Sequence, residues 1–467
     1  MSSLSDSKRL QTWIESVIDP AEYGDSLEAI LELVPSLADF GGIPPSSLVL
    51  VRADIDVPIK DGSVADVTRL ESFRHTIEYC REHRLIPIIF GHVGRDTRNT
   101  AMPVAAALEE LYGSRGIFID QWFDERNTVI TQACRERLST ARPGELVLLE
   151  NTRLYSFERE LWNVTTSASD TVATTLDRVT REFCQTISQY YIFDALAASN
   201  LDWSSVVVPA YVSRAALAEG IRKEFNDHVR HARQAQVVIF SGLKLDKLDD
   251  LEMMLSRRKV KLILVGGALA TALMKARALL EGKTISIGLA DSNQSKDSKF
   301  HIGKERVEQA KRIMTVAVRQ GVEVVLPVDF VLDDGSVSAT IPQDSLQLDV
   351  GPRTLDTFEE HLMDFVGAHK ESVIFHNGVL GKFEDERFEA GTRQLINLLR
   401  VLTDAGARTY VGGGEGLQAL RKYGDESWVT HAFTSGGTIL KAMSGRVISY
   451  LNALAYYSYE RSRVGKV

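Results

Sequence analysis

Short apolar runs that alternate with amphipathic stretches constrain the fold of this chain more than any other feature. In the first half of the chain the runs lie at residues 47–55, 85–90, 116–120, 146–149 and 191–193. A second series lies at residues 236–242, 261–267, 323–330, 372–378, 409–415 and 428–437. Apolar runs between helical stretches are typical of buried parallel strands. The pattern therefore predicts an α/β fold with doubly wound parallel sheets.

The length of the chain predicts two lobes, because 467 residues are more than one hydrophobic core usually holds. A long polar stretch at 213–233 separates the two series of strands, and we interpret it as a connecting helix with a hinge. The predicted parts are an N-terminal helical extension at 1–45, a first lobe at 46–212, the connecting helix, a second lobe at 234–445 and a C-terminal tail at 446–467.

Charge and hydropathy exclude several classes of protein. A net charge of −9 argues against a general nucleic-acid surface, and the longest apolar run, 262–274, is too short to span a bilayer. The N-terminus lacks the apolar segment of a signal peptide. The three cysteines, Cys80, Cys134 and Cys184, lack metal-ligand spacing, as in proteins of a reducing compartment. We therefore expect a cytoplasmic monomer that binds neither nucleic acid nor membrane.

Charged and polar side chains follow the strands of the first series. They are Asp54 and Asp56, His92 and Arg95, Asn151 and Arg153, and Asp194, with Arg69 in the helix after the first strand. Because parallel strands end on the same side of a sheet, we expect these side chains to converge. Guanidinium groups match carboxylate and phosphate oxygens, so the pattern predicts a site for a small anion. The alternative for each arginine alone is a solvated surface residue.

Glycines follow most strands of the second series. GGG at 412–414 and SGG at 435–437 each lie between a strand and a helix, where amides and the helix dipole attract phosphate. One such loop alone is equally often a tight turn, and neither is a GxxxxGK[ST] loop. Lys244 is placed to reach a phosphate, whereas Lys247 fits a helix surface better. Glu415 is either a ligand for Mg²⁺ or an acid at a helix N-terminus.

Ten short motifs follow one another from about residue 47 to the C-terminus. In the first half they are LVRADIDVP (50–58), VTRL (67–70), GHVGR (91–95) and LLENTR (148–153). In the second half they are SGLK (241–244), LPVDFV (326–331), DVGPRT (349–354), HNGVLGKFE (376–384), VGGGEG (411–416) and FTSGGT (433–438). In order and spacing these motifs resemble those of the phosphoglycerate kinase family.

The resemblance implies roles for individual residues. Beside a phosphoglycerate-like acceptor it implies Asp54, Asp56, Arg69, His92, Arg95 and Arg153. Beside ATP or ADP it implies Lys244, Lys247, Gly266, Asn377, Glu384, Gly413, Gly414, Glu415, Gly436 and Gly437, with Mg²⁺ held by Glu415. Catalytic roles are implied for Arg69, Lys244, Gly414 and Gly437, and the tail at 446–457 is expected to return to the first lobe.

The chain departs from the family pattern mainly in its first lobe. The family has a His-Arg-Ala-His segment where this chain has DALAASNLDWSS at 194–205, which contains no basic residue. Asp56 stands in place of an asparagine and adds negative charge. Residues 1–45 and 156–189 are longer than the family requires. Trp203 either adds apolar surface to the vacated space or belongs to the core.

The expected reaction is ATP-dependent phosphoryl transfer to a carboxylate, which forms an acyl phosphate. Such an acceptor is already an anion, so the reaction needs positioning and charge neutralisation rather than a base. Because the first lobe is altered, we expect an acceptor related to 3-phosphoglycerate but different from it, either phosphorylated or phosphonate-bearing. Two alternatives stay open: an ordinary phosphoglycerate kinase, and a nucleotide-binding homologue without turnover.

Overall fold

The computed structural model describes residues 6–24, 26–95, 98–291 and 301–464. Contacts divide the chain into two compact units. The first unit extends to Phe225 and includes the segment from Val447 onwards, and the second unit is Asn226–Arg446. Each unit contains a sheet of six parallel strands, which confirms the predicted α/β class with two parallel-sheet lobes.

One parallel sheet forms the centre of the first unit. The strands of this unit are β1 (Leu48–Ala53), β2 (Ile59–Lys60), β3 (Ser63–Val64), β4 (Ile86–Phe90), β5 (Gly116–Ile119), β6 (Phe123–Asp124), β7 (Val129–Ile130), β8 (Leu146–Leu149), β9 (Tyr190–Asp194) and β10 (Arg214–Leu217). The sheet has the order β10-β9-β1-β4-β8-β5, and β2-β3 and β6-β7 are separate antiparallel pairs. Residues that follow β9, β1, β4 and β8 therefore come from four neighbouring strands.

Helices alternate with the strands of the first unit. They are α1 (Asp6–Ile18), α2 (Leu27–Leu33), α3 (Thr68–Ser72), α4 (Arg74–Glu82), α5 (Met102–Tyr112), α6 (Gln132–Thr140), α7 (Asp170–Thr186), α8 (Trp203–Val206) and α9 (Glu219–Lys223). Phe73 separates the consecutive helices α3 and α4, and Arg69 lies in the first of them. Helix α5 ends at Gly113, whose φ of 58° is a left-handed conformation that glycine adopts without strain.

The helix predicted at 213–233 is wrong at its start, because the helical part of this stretch begins at Glu219 and extends to Ala232. Its first residues form β10, which pairs with β9, and α9 begins only at Glu219. The sequence RAAL favours a helix by intrinsic propensity, but most of the strand is buried in the sheet, and this packing overrides the preference. A π-helical segment, Glu224–Val229, and α10 (Arg230–Ala232) complete the stretch.

A second parallel sheet forms the centre of the second unit. The strands are β11 (Val237–Phe240), β12 (Leu262–Val265), β13 (Glu323–Val325), β14 (Phe330–Leu332), β15 (Val337–Ser338), β16 (Gln347–Val350), β17 (Val373–Asn377), β18 (Arg408–Gly412) and β19 (His431–Ala432). The sheet has the order β13-β12-β11-β17-β18-β19. β15, β14 and β16 form a small antiparallel sheet. The single strand predicted at 323–330 is thus two strands, separated by Pro327, which has no amide proton for a ladder.

The remaining helices of the second unit are α11 (Lys247–Ser256), α12 (Gly267–Leu280), α13 (Lys304–Gln320), α14 (Pro352–Ala368), α15 (Ala390–Asp404), α16 (Gly414–Tyr423) and α17 (Gly436–Ser444). The strand order reverses between β11 and β17, and ligands of parallel sheets usually bind at such a reversal. Among the helices that the structure describes, none has the length and hydropathy needed to cross a bilayer.

The C-terminal segment forms helix α18 (Ser449–Val464), which packs within the first unit. Tyr450 stacks on Phe193 of β9 with ring centroids 4.1 Å apart. Asn452 Nδ2 donates a hydrogen bond to the carbonyl oxygen of Val17 in α1 at 2.9 Å. The N-terminal extension and the C-terminal helix therefore pack together on the same unit.

Candidate functional site

Side chains at the ends of three neighbouring strands, together with Arg69 of α3, form one cluster in the first unit, which we call the arginine site. Its members are Arg52, Asp54, Asp56, Arg69, His92 and Arg153. Asp54 follows β1, His92 follows β4 and Arg153 follows β8. The structure thus brings together five of the six side chains predicted beside the acceptor. The sixth, Arg95, lies exposed on the same loop as His92.

Arg69 is held against the segment that follows β1. Its Nη1 donates a hydrogen bond to the carbonyl oxygen of Asp56 at 2.7 Å. The same nitrogen lies 3.5 Å from Oδ1 of Asp54 and 3.4 Å from Oδ2 of Asp56. Burial raises the pKa of Asp54 and the charge of Arg69 opposes that rise. The guanidinium therefore already has two carboxylate neighbours before any ligand binds.

Asp56 links the loop after β1 to the loop after β4. Its Oδ1 accepts a hydrogen bond from the amide of Gly94 at 2.7 Å. Its Oδ2 lies 3.8 Å from Nε2 of His92. The side chain is 34% exposed, against 11% for Asp54, so the carboxylate borders solvent.

Arg52 is a member of the arginine site that the sequence analysis missed, because it lies inside an apolar strand. Its side chain is 1% exposed and donates hydrogen bonds to the carbonyl oxygen of Ala53 at 2.7 Å and to the hydroxyl of Ser204 at 2.8 Å. A further nitrogen, Nη2, lies 3.1 Å from Nδ1 of His92. Since a guanidinium only donates, Nδ1 accepts and the ring proton is assigned to Nε2.

Burial and neighbouring cations keep His92 neutral. Burial, followed by the charges of Arg52, Arg153 and Arg69, lowers the pKa of His92 well below its usual value. The neutral ring offers one donor, Nε2–H, on the side of Asp56. Arg52, through its contact with Nδ1, therefore orients His92 so that its Nε2–H donor faces Asp56.

Arg153 is held from two sides. Its Nη1 donates a hydrogen bond to the carbonyl oxygen of Gly94 at 2.6 Å. Its guanidinium carbon lies 5.1 Å from the ring centre of Trp162, which is 41% exposed. Trp162 Nε1 in turn donates a hydrogen bond to Oδ1 of Asp202 at 2.8 Å. The longer segment at 156–189 thus contributes an aromatic face beside Arg153.

The stretch at 194–205, where the family pattern has basic residues, supplies a carboxylate in this chain. Oδ2 of Asp202 lies 3.8 Å from Nη2 of Arg52, and both side chains are buried. Glu158 is buried beside them and accepts hydrogen bonds from the hydroxyl and amide of Ser204 at 2.6 and 3.0 Å. Burial and the charge of Asp202 raise the pKa of Glu158.

His92, Glu158 and Asp202 also offer potential metal-ligand atoms within 4.8 Å of one another. The guanidinium of Arg52 lies among them, at 3.1 Å from His92 and 3.8 Å from Asp202. This cluster therefore contains its own cation, and the donor set does not favour a metal ion.

Trp203 belongs to the core rather than to the arginine site. Its side chain is fully buried and packs against Phe157 and Phe183 with ring centroids 4.8 and 5.0 Å away. Its Nε1 donates a hydrogen bond to the hydroxyl of Thr180 at 2.7 Å. The aromatic residue beside the predicted anion donors is Trp162.

Two helices of the second unit begin side by side after β18 and β19. Helix α16 follows Gly413 and helix α17 follows Ser435. A Cβ atom on Gly436 would lie 2.9 Å from Cα of Gly413, so the two turns are in contact. A Cβ atom on Gly414 or Gly437 would meet no atom within 4 Å. Both helix N-termini therefore border open space, an arrangement that binds phosphate. We call these turns, with Lys244, Lys247 and Glu415, the glycine site.

Gly266 has a packing role in the structure. A Cβ atom there would lie 2.7 Å from Oγ of Ser241 and 2.6 Å from Cδ2 of Leu380. Its neighbour Gly267 has a φ of 59°, and a Cβ atom there would lie 2.7 Å from the carbonyl oxygen of Gly242. Both glycines allow the loop after β11 to approach the start of α12.

The two lysines of the glycine site differ in environment. Lys244 is exposed, whereas Lys247 is buried at the start of α11. Nζ of Lys247 donates a hydrogen bond to the carbonyl oxygen of Ser241 at 2.6 Å. Burial lowers the pKa of Lys247 to about 8, while the charge of Glu415 opposes the change. Lys247 therefore stabilises the loop after β11, and the exposed Lys244 is the lysine that can reach a ligand.

A cavity of about 490 Å³ adjoins the glycine site, a volume typical of small-molecule sites. Its apolar lining includes Leu243, Ala268, Ile287, Ala290, Ile302 and Leu380. Its polar lining includes Gln347, Asp349, Glu384 and Glu415. Glu415 is also the second residue of α16, so the cavity leads to a helix N-terminus. This combination suits a flat apolar base that carries phosphates.

Asn377 and Glu415 have different positions beside the cavity. Nδ2 of Asn377 is buried and donates a hydrogen bond to the carbonyl oxygen of Gly412 at 2.8 Å, which fixes the turn before α16. Glu415 is exposed, and a Cβ atom on Gly242 would lie 3.5 Å from its Oε2. One exposed carboxylate next to a phosphate-binding turn fits Mg²⁺, which often takes one or two carboxylates together with phosphate oxygens.

A sequence model of the family described as phosphoglycerate kinase matches residues 46–446. The phosphoglycerate kinase of Thermosipho africanus is 28% identical over 426 residues, which cover 87% of this chain and 94% of the relative. The probable phosphoglycerate kinase of Caenorhabditis elegans is 29% identical over 427 residues, which cover 87% of this chain and 95% of the relative.

Solved structures share the fold. Phosphoglycerate kinase from Pyrococcus horikoshii superposes with a TM-score of 0.71 at 24% identity, covering 91% of this chain and 100% of that chain. The enzyme from Coxiella burnetii superposes with a TM-score of 0.65 at 23% identity, covering 91% and 99%. Because the family match extends over most of the sequence, the chain belongs to the phosphoglycerate kinase family.

Proposed function

We propose that the protein transfers a phosphoryl group from Mg²⁺–ATP to a carboxylate and so forms an acyl phosphate. The observation that carries the proposal is the pair of adjacent helix N-termini, open at Gly414 and Gly437, beside a cavity of about 490 Å³. Amides and dipoles at such N-termini bind phosphate, and the apolar lining suits the base of a nucleotide. Family membership supports ATP as the donor.

The arginine site supports an anionic acceptor. Arg69 and Arg153 supply guanidinium groups, and His92 supplies an Nε2–H donor. Arg95 adds an exposed guanidinium on the same loop as His92. Planar guanidinium groups match carboxylate oxygens with paired hydrogen bonds.

The reaction needs no general base. The bond between the γ-phosphorus and the bridging oxygen of ATP breaks, and a bond forms between that phosphorus and a carboxylate oxygen that is already an anion. Lys244 neutralises charge on the transferred group, and the amides at Gly414 and Gly437 hold phosphate oxygens. Mg²⁺, held by Glu415, supplies further charge neutralisation when bound. We propose that the lobes close on the ligands during turnover, because water would otherwise accept the phosphoryl group.

For the acceptor we propose a phosphorylated or phosphonate-bearing carboxylate related to 3-phosphoglycerate but different from it. Asp56 is a carboxylate of the arginine site, and Asp202 lies 3.8 Å from its member Arg52, so the two carboxylates disfavour a doubly charged distal phosphate. Ordinary phosphoglycerate kinase activity is the second candidate, because the matched relatives carry that name. A cytosolic location agrees with three buried free cysteines.

Two measurements test this proposal. Calorimetric titration with ADP, with and without Mg²⁺, should show Mg²⁺-dependent binding, and its absence at millimolar nucleotide would contradict a nucleotide site. A coupled ADP-release assay with a panel of small carboxylates should show turnover well above that with water alone. Nucleotide binding without any carboxylate-dependent turnover would instead identify a homologue that binds without catalysis.

A further inference from the structure

We propose that Asp56 is an internal counter-anion that sets the acceptor specificity of the arginine site. It occupies hydrogen-bond donors that the anionic group of an acceptor would otherwise use. The inference rests on the proposed function, and it names a narrower substrate class for the same site. A phosphorus group with one negative charge is then preferred over a phosphate ester with two.

The donors around Asp56 come from two parts of the chain, helix α3 and the loop after β4. The amide of Gly94 donates to Oδ1 at 2.7 Å, and Nη1 of Arg69 lies 3.4 Å from Oδ2. Nε2 of His92, which carries the ring proton because Arg52 donates to Nδ1, lies 3.8 Å from Oδ2. An amide, a guanidinium and an imidazole that converge on two oxygens form an anion-binding arrangement. Here the anion is part of the protein.

Two of these donors, Arg69 and the amide of Gly94, are held beside Asp56 by further hydrogen bonds. Arg69 also donates to the carbonyl oxygen of Asp56 at 2.7 Å, which ties the guanidinium to the same residue. The loop of Gly94 is fixed from its other side, because its carbonyl oxygen accepts a hydrogen bond from Arg153 at 2.6 Å. An incoming anion must therefore share or displace the Asp56 carboxylate.

Carboxylates within the protein already offset the guanidinium charges of the arginine site, and Arg95, exposed on the loop of His92, stands outside this balance. Three guanidinium groups, those of Arg52, Arg69 and Arg153, lie among the carboxylates of Asp54, Asp56 and Asp202. His92 is neutral and adds no positive charge. A ligand with two negative charges next to Asp56 is repelled more strongly than a ligand with one, since repulsion scales with the product of the charges.

Exposure indicates that Asp56 faces the ligand rather than the core. Its side chain is 34% exposed, whereas the neighbouring Asp54 is 11% exposed. The favoured acceptors are carboxylates whose phosphorus group carries one charge, such as phosphonate monoesters or phosphodiesters. Ordinary phosphate esters, which carry nearly two charges at neutral pH, are disfavoured.

The test compares Asp56→Asn with Asp61→Asn. Asparagine keeps the shape and the acceptor oxygen for the amide of Gly94 but removes the charge. Asp61 is exposed in the turn between β2 and β3 with a φ of 51°, a conformation that asparagine also accepts. Both variants change the net charge of the first unit equally, so only the position differs. Asp56→Glu, which keeps the charge, is a second control.

Binding of 3-phosphoglycerate and of glycerate is measured by calorimetry without nucleotide. We expect Asp56→Asn to bind 3-phosphoglycerate about ten- to hundredfold more tightly than the wild type, as for one recovered charged hydrogen bond. The affinity of Asp56→Asn for glycerate should rise no more than about threefold, because a ligand with a single charge is repelled less by Asp56. Asp61→Asn and Asp56→Glu should show no gain for either ligand.

The inference would be overturned if Asp56→Asn had the same ratio of affinities for 3-phosphoglycerate and glycerate as the wild type. It would also be overturned if Asp61→Asn gained as much affinity for 3-phosphoglycerate, or if no variant bound 3-phosphoglycerate. The assay does not depend on turnover. If no carboxylate supports ADP release but Asp56→Asn gains affinity for 3-phosphoglycerate, the inference holds for the anion site and the catalytic proposal fails.

Discussion

The arginine site and the glycine site both lie where parallel strands end, but their polar groups are engaged differently. In the arginine site, Arg52, Arg69 and Arg153 each have partners within the protein, namely carboxylates, carbonyl oxygens or an aromatic ring. In the glycine site, Gly414 and Gly437 border open space at two helix N-termini. An anion that binds to the arginine site must replace partners that the guanidinium groups already have, so the site discriminates between anions. An open helix N-terminus binds any phosphate of suitable shape. The difference indicates that specificity resides mainly in the first unit.

The largest expected effect separates catalysis from binding in the glycine site. Lys244→Ala should lower kcat about 100- to 1,000-fold and change nucleotide affinity less than about threefold, because its charge matters most while the phosphoryl group is between donor and acceptor. Steady-state kinetics and calorimetry measure the two effects. Lys259→Ala, an exposed lysine of the same unit, is the matched control. A wild-type kcat in Lys244→Ala would remove the lysine from the mechanism.

The second effect concerns stability of the first unit. Burial raises the pKa of Asp194 to about 7, while a hydrogen bond from Thr76 at 2.5 Å opposes the rise. A carboxyl group with a raised pKa contributes stability at low pH, and that contribution is lost as the pH rises from about 4 through 7. Between pH 5 and 7 the loss amounts to about 2 kcal/mol.

Asp194→Asn should remove this loss, so that the urea midpoint of the first unit depends less on pH than in the wild type. Asp120→Asn, at an exposed position of the same unit, should keep the wild-type dependence. Urea unfolding at several pH values measures the dependence. Identical slopes in Asp194→Asn and the wild type would show that Asp194 stays ionised in the folded protein.

The third effect tests whether the glycine site is open. Gly437→Ala should lower nucleotide affinity about tenfold, because the new methyl group projects into the space assigned to phosphate oxygens. The same variant should unfold no earlier than the wild type, since a Cβ atom there meets no atom within 4 Å and alanine favours a helix. Gly436→Ala is the contrasting variant, because its methyl group would lie 2.9 Å from Gly413 and should reduce stability. Unchanged affinity in Gly437→Ala would place the phosphates elsewhere.

The smallest effect concerns the aromatic face of the arginine site. Trp162→Ala should raise KM for the acceptor about three- to tenfold with little change in kcat, because Arg153 loses a partner worth about 1 kcal/mol. Trp162→Phe keeps an aromatic ring but loses the hydrogen bond to Asp202, so its KM for the acceptor should be closer to that of the wild type. If both variants raise KM equally, the hydrogen bond rather than the ring positions the site.

The two parallel sheets and most polar residues at their strand ends could be predicted from the sequence. Each apolar run indicates a strand, and the glycine or charged residues after it indicate the end of that strand. Arg52 was missed because a charged residue inside the run 47–55 looks like an interruption of the core, and its partner Ser204 lies 152 residues further along the chain. Burial of that kind depends on distant segments that local patterns do not describe. Trp162 was missed for a different reason: it follows Arg153 closely in the sequence, but no local pattern shows that its ring turns back onto the guanidinium.

At the start of the stretch 213–233 the sequence predicted an element that the structure does not contain. Residues 214–217 favour a helix by propensity, yet β9 offers an unpaired edge, and the strand β10 buries its side chains there. Only the tertiary neighbour decides between the two structures.

Relative kcat/KM values for acceptors test the central claim most directly. The ADP-release assay should compare 3-phosphoglycerate with carboxylates that carry a singly charged phosphorus group, such as a phosphonate monoester. We expect an acceptor of the second kind to have a higher kcat/KM than 3-phosphoglycerate, because the arginine site already contains its own carboxylates. Efficient turnover of 3-phosphoglycerate, with no better acceptor in the panel, would contradict the account and identify an ordinary phosphoglycerate kinase.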